Sequence, residues 1–280
     1  MKIWRMGAAA IALCGVSFVW CSYAAEQNLP SSVPDISGFW QHTVPQEEWE
    51  DPPSGPGPVR RMNGAAVDAG AGRGNVWMGD YRNPILKPWA ADAVKKEGEL
   101  ELAGGNAMTG QLTCRPSGVP GVFTVLAPVQ IVQAPDRVLF LYQRDHQVRL
   151  VYLGQQHSAK LELSYYGESI GHYEGDTLVV DTIGLNDKTW TDRFATPHTE
   201  ALHVVERYRV KNGGKTLEDF FTVEDQGAFN MPWSAVLNYS RSNPRTTFEE
   251  EVCAENNRGL PLPAADIDAI SGNRLSGSPP

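Results

Sequence analysis

From residue 122 to residue 254 the apolar residues recur at every second position, in short runs separated by turn-forming residues. A period of two puts alternate side chains on opposite faces of an extended strand. A chain that repeats the pattern this often can bury its apolar faces only by wrapping strands around a shared core. The expected strands are 122–133, 137–144, 147–153, 161–166, 177–183, 202–210, 217–224, 233–240 and 247–254, with a first strand at 36–42. Ala134-Pro135-Asp136, Glu174-Gly175-Asp176, Asn212-Gly213-Gly214 and Asn243-Pro244 supply the turn chemistry between runs. The pattern predicts an all-β protein, an antiparallel β-barrel or sandwich with one N-terminal helix and long loops.

The N-terminus carries Lys2 and Arg5, an apolar run over 6–20, and small residues at Ser22 and Ala24. This is the layout of a secretory signal peptide over 1–24, cleaved after Ala24, and it places the mature chain in the periplasm or outside the cell. The run is short for a membrane anchor, and no later segment is long and apolar enough to span, so no transmembrane span is expected after signal removal. Removal takes two cations and no acid, moving the formal charge from −9 to −11. An acidic surface without a basic stripe argues against nucleic acid as a partner. Cys114 and Cys253 remain, and in an oxidising compartment a remaining pair reads as a disulfide in preference to a nucleophilic thiol.

Within 25–110, the Pro- and Gly-rich stretch 44–80 reads as extended and mobile. Asn83-Pro84 resembles a helix start, and 88–102 reads as the one substantial helix, stopped by Gly104-Gly105. The barrel domain is expected over 111–256, with a flexible polar tail over 257–280.

Gly38-Phe39-Trp40 on the first strand resembles the Gly-x-Trp of lipocalin-type barrels, which implies a Trp closing one barrel end and a small ligand held inside. Residues 169–187, which include Glu174-Gly175-Asp176-Thr177-Leu178-Val179-Val180-Asp181-Thr182, and the run Pro197-His198-Thr199-Glu200-Ala201-Leu202-His203 ending in Glu206-Arg207 resemble a family of exported, uncharacterised bacterial proteins. The similarity extends weakly to Cys114-Arg115-Pro116 and to 145–149. It implies an exported β-protein and no particular activity; where the family pattern has Arg, this chain has His172.

Three of the six histidines lie between residues 168 and 210. The loop 186–200 holds Trp190, Asp192, Arg193 and His198: Arg193 beside Asp192 would clamp a carboxylate or hydroxyl, and His198 would serve as general base, unless the loop is simply solvated. His203 and Glu206 point to opposite faces of one strand, which argues against a shared metal. Glu206 shares its face with Leu202, Val204 and Tyr208, so it is either a desolvated acid or the partner of a neighbouring Arg. Tyr142, Arg144 and His146 alternate along one strand face and would line a pocket, with Trp233 as a further aromatic contact. No metal, cofactor, nucleotide or nucleophile motif is present in the sequence. These residues predict a cofactor-independent acid/base enzyme, a lyase, isomerase or hydrolase acting on a small hydroxylated or aromatic molecule in a barrel pocket. The alternative is a non-catalytic periplasmic protein that binds a small apolar or aromatic ligand.

Overall fold

The computed structural model describes residues 33–43, 49–62, 78–103, 114–243 and 245–251. Nine strands close into one barrel in chain order. They are β1 Gly38–His42, β2 Val129–Ala134, β3 Arg137–Tyr142, β4 Val148–Leu153, β5 Glu168–Glu174, β6 Thr177–Ile183, β7 His203–Lys211, β8 Thr216–Glu224 and β9 Trp233–Arg241. The helix is α1, Pro88–Leu102. The expected all-β barrel, with a single α-helix among the described residues, is therefore the fold.

A meander of nine strands that reversed direction at every step would return β9 beside β1 running the same way. One parallel step removes the conflict: β4 pairs parallel with β5, and β1 then closes antiparallel on β9. The parallel ladder is short, joining Val151 to Ser169, Tyr152 to Ile170 and Leu153 to Gly171. Residues 148–150 of β4 thus lie outside the β5 ladder, and the crossover 154–167 runs over the resulting seam. Its last residue is a glycine for a physical reason: Gly167 has φ +61°, and a Cβ there would stand 2.3 Å from the Ile183 carbonyl.

The short turns gather at one end of the barrel. Trp40 is fully buried there, donates its indole N–H to the Ile36 carbonyl at 2.9 Å, and is covered by the Arg241 guanidinium at 4.1 Å. Gly38 leaves room for that guanidinium, since a Cβ would meet Arg241 Nη1 at 2.6 Å. The opposite end is plugged by α1 and the long connections. Ala90, Val94 and Gly98 recur every fourth residue and form the buried stripe of the helix. Trp89 donates to the Gly227 carbonyl at 2.8 Å, and the Lys87 N–H to that of Ala228 at 2.9 Å.

Several local expectations change. The helix begins at Pro88; Asn83 instead makes a turn, its Oδ1 accepting from the Ile85 N–H at 3.1 Å. Gly104-Gly105 lies outside the described residues. β2 starts only at Val129, because Gly121–Thr124 folds into a 3₁₀ turn. Segment 161–166 is not a strand and touches the sheet through one bridge, Ser164 to Leu185. β5 takes its place, hidden in the sequence because its inward residues are Ser169 and Gly171. Residues 247–251 have no regular structure. The described part of 44–80 is docked: Trp49, Val59, Met62 and Met78 are buried, and Trp49 stacks on Trp233 at 5.6 Å. Widely spaced anchors among prolines and glycines hold it down, which a composition argument overlooks. β1 also joins the barrel, so the barrel draws on residues before 111.

Candidate functional site

The inner faces of β4 to β8 carry an ionic layer inside an otherwise apolar barrel. Arg149 and Glu206, fully or almost fully buried, form a two-pronged ion pair, with Nη1 to Oε1 at 2.9 Å and Nη2 bonded to Oε2. Arg149 Nε also donates to Ser169 at 3.0 Å, and Nη2 to Thr182 at 2.7 Å. Tyr208 donates to Glu206 Oε1, and Phe140 faces the guanidinium at 5.7 Å. The expectation that Glu206 faces inward holds, and of its two readings the structure selects the paired one.

Asp219 lies across the β7–β8 ladder from Tyr208, fully buried, and neither carboxyl oxygen has a hydrogen-bond partner of normal geometry. Burial, and then the negative Glu206, hold its carboxyl well above the usual carboxylate range. Burial thus opposes a second negative charge in a layer that already holds the Arg149–Glu206 pair. Burial raises the phenols of Tyr142, Tyr208 and Tyr239 as well.

The seam opens into a cleft of about 620 Å³. Its walls include Tyr152, Lys160, Tyr165 and Tyr166, and Arg149 and Ser169 reach its floor. Tyr166 stacks on Tyr142 at 6.0 Å with planes 19° apart, joining the cleft wall to the barrel interior. Ser158, Ser164, Glu162 and Glu168 add hydroxyls and carboxylates. Aromatic faces beside a few polar groups suit a small molecule with both a flat apolar surface and hydroxyls. The opening beside His42, Tyr142 and Tyr239 has about 10 Å³ accessible to water, room for about one water molecule. Burial pushes the His42 imidazole down to about 4, so it is neutral there.

Outside the barrel, imidazoles and carboxylates alternate across the seam's edge. Glu168 Oε1 meets His157 Nδ1 at 3.0 Å, and His157 Nε2 meets Asp181 Oδ1 at 2.8 Å. Asp181 Oδ2 meets His203 Nε2 at 3.0 Å, and His203 Nδ1 stands 3.7 Å from Glu224. Hydrogen bonds from Ser158 hold Glu168 below the usual carboxylate range, and those from His203 do the same for Asp181.

The sequence-derived residues do not converge. His198 is buried in its own loop, with Nδ1 on the Thr199 carbonyl at 3.0 Å and Nε2 on the Thr189 hydroxyl at 2.9 Å. Burial lowers its pKa, so it is a neutral, satisfied side chain rather than an exposed base. Asp192 accepts from the Phe194 and Thr196 N–H groups at 2.9 and 3.1 Å, folding the loop on itself. Arg193 and Trp190 are half-buried in this loop, most of whose other residues between 189 and 198 are buried. His146 is exposed on a 3₁₀ turn with φ +50°; β3 ends at Tyr142, so the alternation that would have carried Arg144 and His146 inward is broken. Arg144 instead pairs with Glu251. Tyr142 does face inward, and Trp233 is a core residue packed on Trp49, Phe221 and Phe229. His203 lies on the outer face, away from Glu206, as the strand parity required. No group of three or more His, Cys, Asp or Glu among the described residues is arranged to hold a metal ion. Cys253 and residues 1–24 lie outside the described residues.

Sequence reasoning overlooked Arg149, Asp219 and His157. Asp219 had a readable signal, a charge on the apolar parity of a strand, the same one that exposed Glu206. His157, in a segment of low periodicity, had none.

His203 carries a pH prediction. The Asp181 hydrogen bond raises its pKa, so the folded state binds the proton more tightly than the unfolded chain. Its stabilisation is fully present below about pH 6.5 and is lost as the pH rises through the higher folded value. Urea midpoints of wild type and His203→Gln should therefore converge toward the alkaline side; a constant gap across the range would exclude this role.

The fold and this geometry define a closed nine-stranded β-barrel with a cleft at its one parallel seam. No protein-family model matches the chain, and no curated protein is significantly similar to it. No described helix is long and apolar enough to cross a membrane.

Proposed function

We propose that the chain is an exported protein that binds a small hydroxylated or aromatic molecule in the seam cleft. The observation that carries this reading is the cleft itself: about 620 Å³ walled by Tyr152, Tyr165 and Tyr166, within the size range of small-ligand sites. The leader-like segment 1–24 supports export, as does the resemblance around residues 169–187. Binding is preferred over catalysis because His146, His198 and Asp192 face neither the cleft nor one another. An acid/base reaction is the second reading, favoured by one observation: Glu168 lines the cleft and is held ionised by Ser158, as a general base must be. Neither reading calls on a cofactor.

A Cys114–Cys253 disulfide belongs to the same proposal. Pro116 and Gln147 both line the cleft, and Glu251 is paired with Arg144, so the chain near each cysteine lies toward the β3–β4 turn. Such a bridge would close a loop from 114 to 253, with an entropic effect on the order of 4 kcal/mol.

Native mass spectrometry of the protein recovered from the periplasm tests both parts. The expected result is an organic adduct that Tyr166→Ala loses, with a denatured mass about two hydrogens below that of the reduced chain. Protein that binds no small hydroxylated or aromatic compound from a screening set, in either form, would overturn the binding reading.

A further inference from the structure

The crossover that walls the cleft is gripped by a histidine whose two ring nitrogens both face carboxylates. We propose that His157 is a proton-operated latch: protonated, it clamps residues 155–163 onto the barrel, and deprotonated, it frees that wall of the cleft. The proposal rests on the cleft being the ligand site only for its consequence, ligand release, and not for the latch itself.

Chemistry supplies the argument. A neutral imidazole carries one N–H, so it donates from one nitrogen and presents a lone pair from the other. His157 has Glu168 Oε1 at 3.0 Å on Nδ1 and Asp181 Oδ1 at 2.8 Å on Nε2. Only the imidazolium satisfies both contacts. Removing the proton sets a lone pair against a carboxylate and turns one attraction into a repulsion. Asp181 is shared with His203, whose own partner beyond it is Glu224. The groups facing the latch are thus Glu168 and Asp181 directly, with Ser158, His203 and Glu224 behind them. Three carboxylates thus stand around the two imidazoles.

The latch has leverage because of where it sits. Gly154 is fixed by its N–H on the Gly171 carbonyl at 3.0 Å, and Ser164 by its N–H on Gly184 at 3.0 Å. Between these anchors, the polar ties to the barrel among the described residues come from His157 and from Ser158, which donates its N–H and hydroxyl to the same Glu168. Lys160 and Glu162, both cleft-lining, hang from this span. Leu161 and Leu163 on it are over a third exposed, so little apolar burial holds it if the latch opens.

The test is amide hydrogen exchange at Ser158, whose N–H bonds to Glu168 at 2.7 Å. It is read in ligand-free protein at about pH 5.5 and about pH 8.5, corrected for intrinsic exchange. Protection in the wild type should fall about tenfold on the alkaline side, the loss of one charge-assisted contact. In His157→Gln it should be low at both values. Glu168→Gln, which removes one carboxylate while keeping a side-chain acceptor, should move the transition to lower pH. Equal wild-type protection at both values would overturn the proposal, as would a transition that survives in His157→Gln. A ligand that fails to bind would count against the cleft reading and leave these outcomes intact. If the latch and the cleft reading both hold, catechol, used as the probe, dissociates faster at the alkaline value.

Discussion

Arg149→Met is expected to destabilise the protein by about 3–5 kcal/mol, measured as the shift in urea unfolding. Arg149 holds four side chains from its place inside the barrel: Glu206, Ser169, Thr182 and, across the ring of Phe140, the aromatic wall. Removing the guanidinium leaves the Glu206 carboxylate buried beside Asp219, with Tyr208 as its remaining donor. An uncompensated buried charge is the costliest outcome of breaking such a pair. The double variant Arg149→Met with Glu206→Leu should recover most of the loss, because apolar side chains of similar volume replace the ions in an apolar lumen. A double variant as unstable as the sum of the two singles would mean that the two side chains are not energetically coupled, and would contradict this account. Burial and the nearby Glu206 hold the Asp219 carboxyl well above the usual carboxylate range, so a second negative charge in the layer is disfavoured.

Trp40→Ala should cost a comparable amount, about 3–5 kcal/mol. The indole is fully buried, its N–H is satisfied by Ile36, and Arg241 lies flat on its outer face. Truncation opens a cavity at the barrel end and leaves Arg241, which otherwise ties β9 to the Ser37 and Gly214 carbonyls, without its stacking surface. Trp40→Phe should retain much of the packing and lose the hydrogen bond, so thermal denaturation should rank it between wild type and Ala. If Trp40→Ala melted like the wild type, this end of the barrel would not need its plug.

The strands from β6 to β9 were legible because their inward residues are large and apolar. Leu178, Val180, Val204, Tyr208, Phe221 and Leu237 announce their parity. β5 was not, since Ser169 and Gly171 face inward where the Arg149 network and the close parallel neighbour leave no room for bulk. The helix was legible from Pro88 and its four-residue stripe. The sequence-derived site residues do not come together in space. A cluster of titratable residues in sequence, around Asp192 and His198, resolved into a loop that hydrogen-bonds to itself. The groups that meet in space, Glu168 with His157 and Asp181 with His203, come from four separate segments. Glu206 could be read because strand parity alone places it; Arg149, its partner 57 positions earlier, requires the register of the closed barrel.

The measurement that tests the account most directly is a backbone amide NMR titration with catechol and, separately, with glucose. The account predicts that at least one of them shifts Tyr152, Lys160, Tyr165 and Tyr166, the residues of the seam, and that Tyr208 and Tyr239 in the packed interior stay still. Shifts concentrated on the interior residues, or none at the seam with either compound up to its solubility limit, would contradict it.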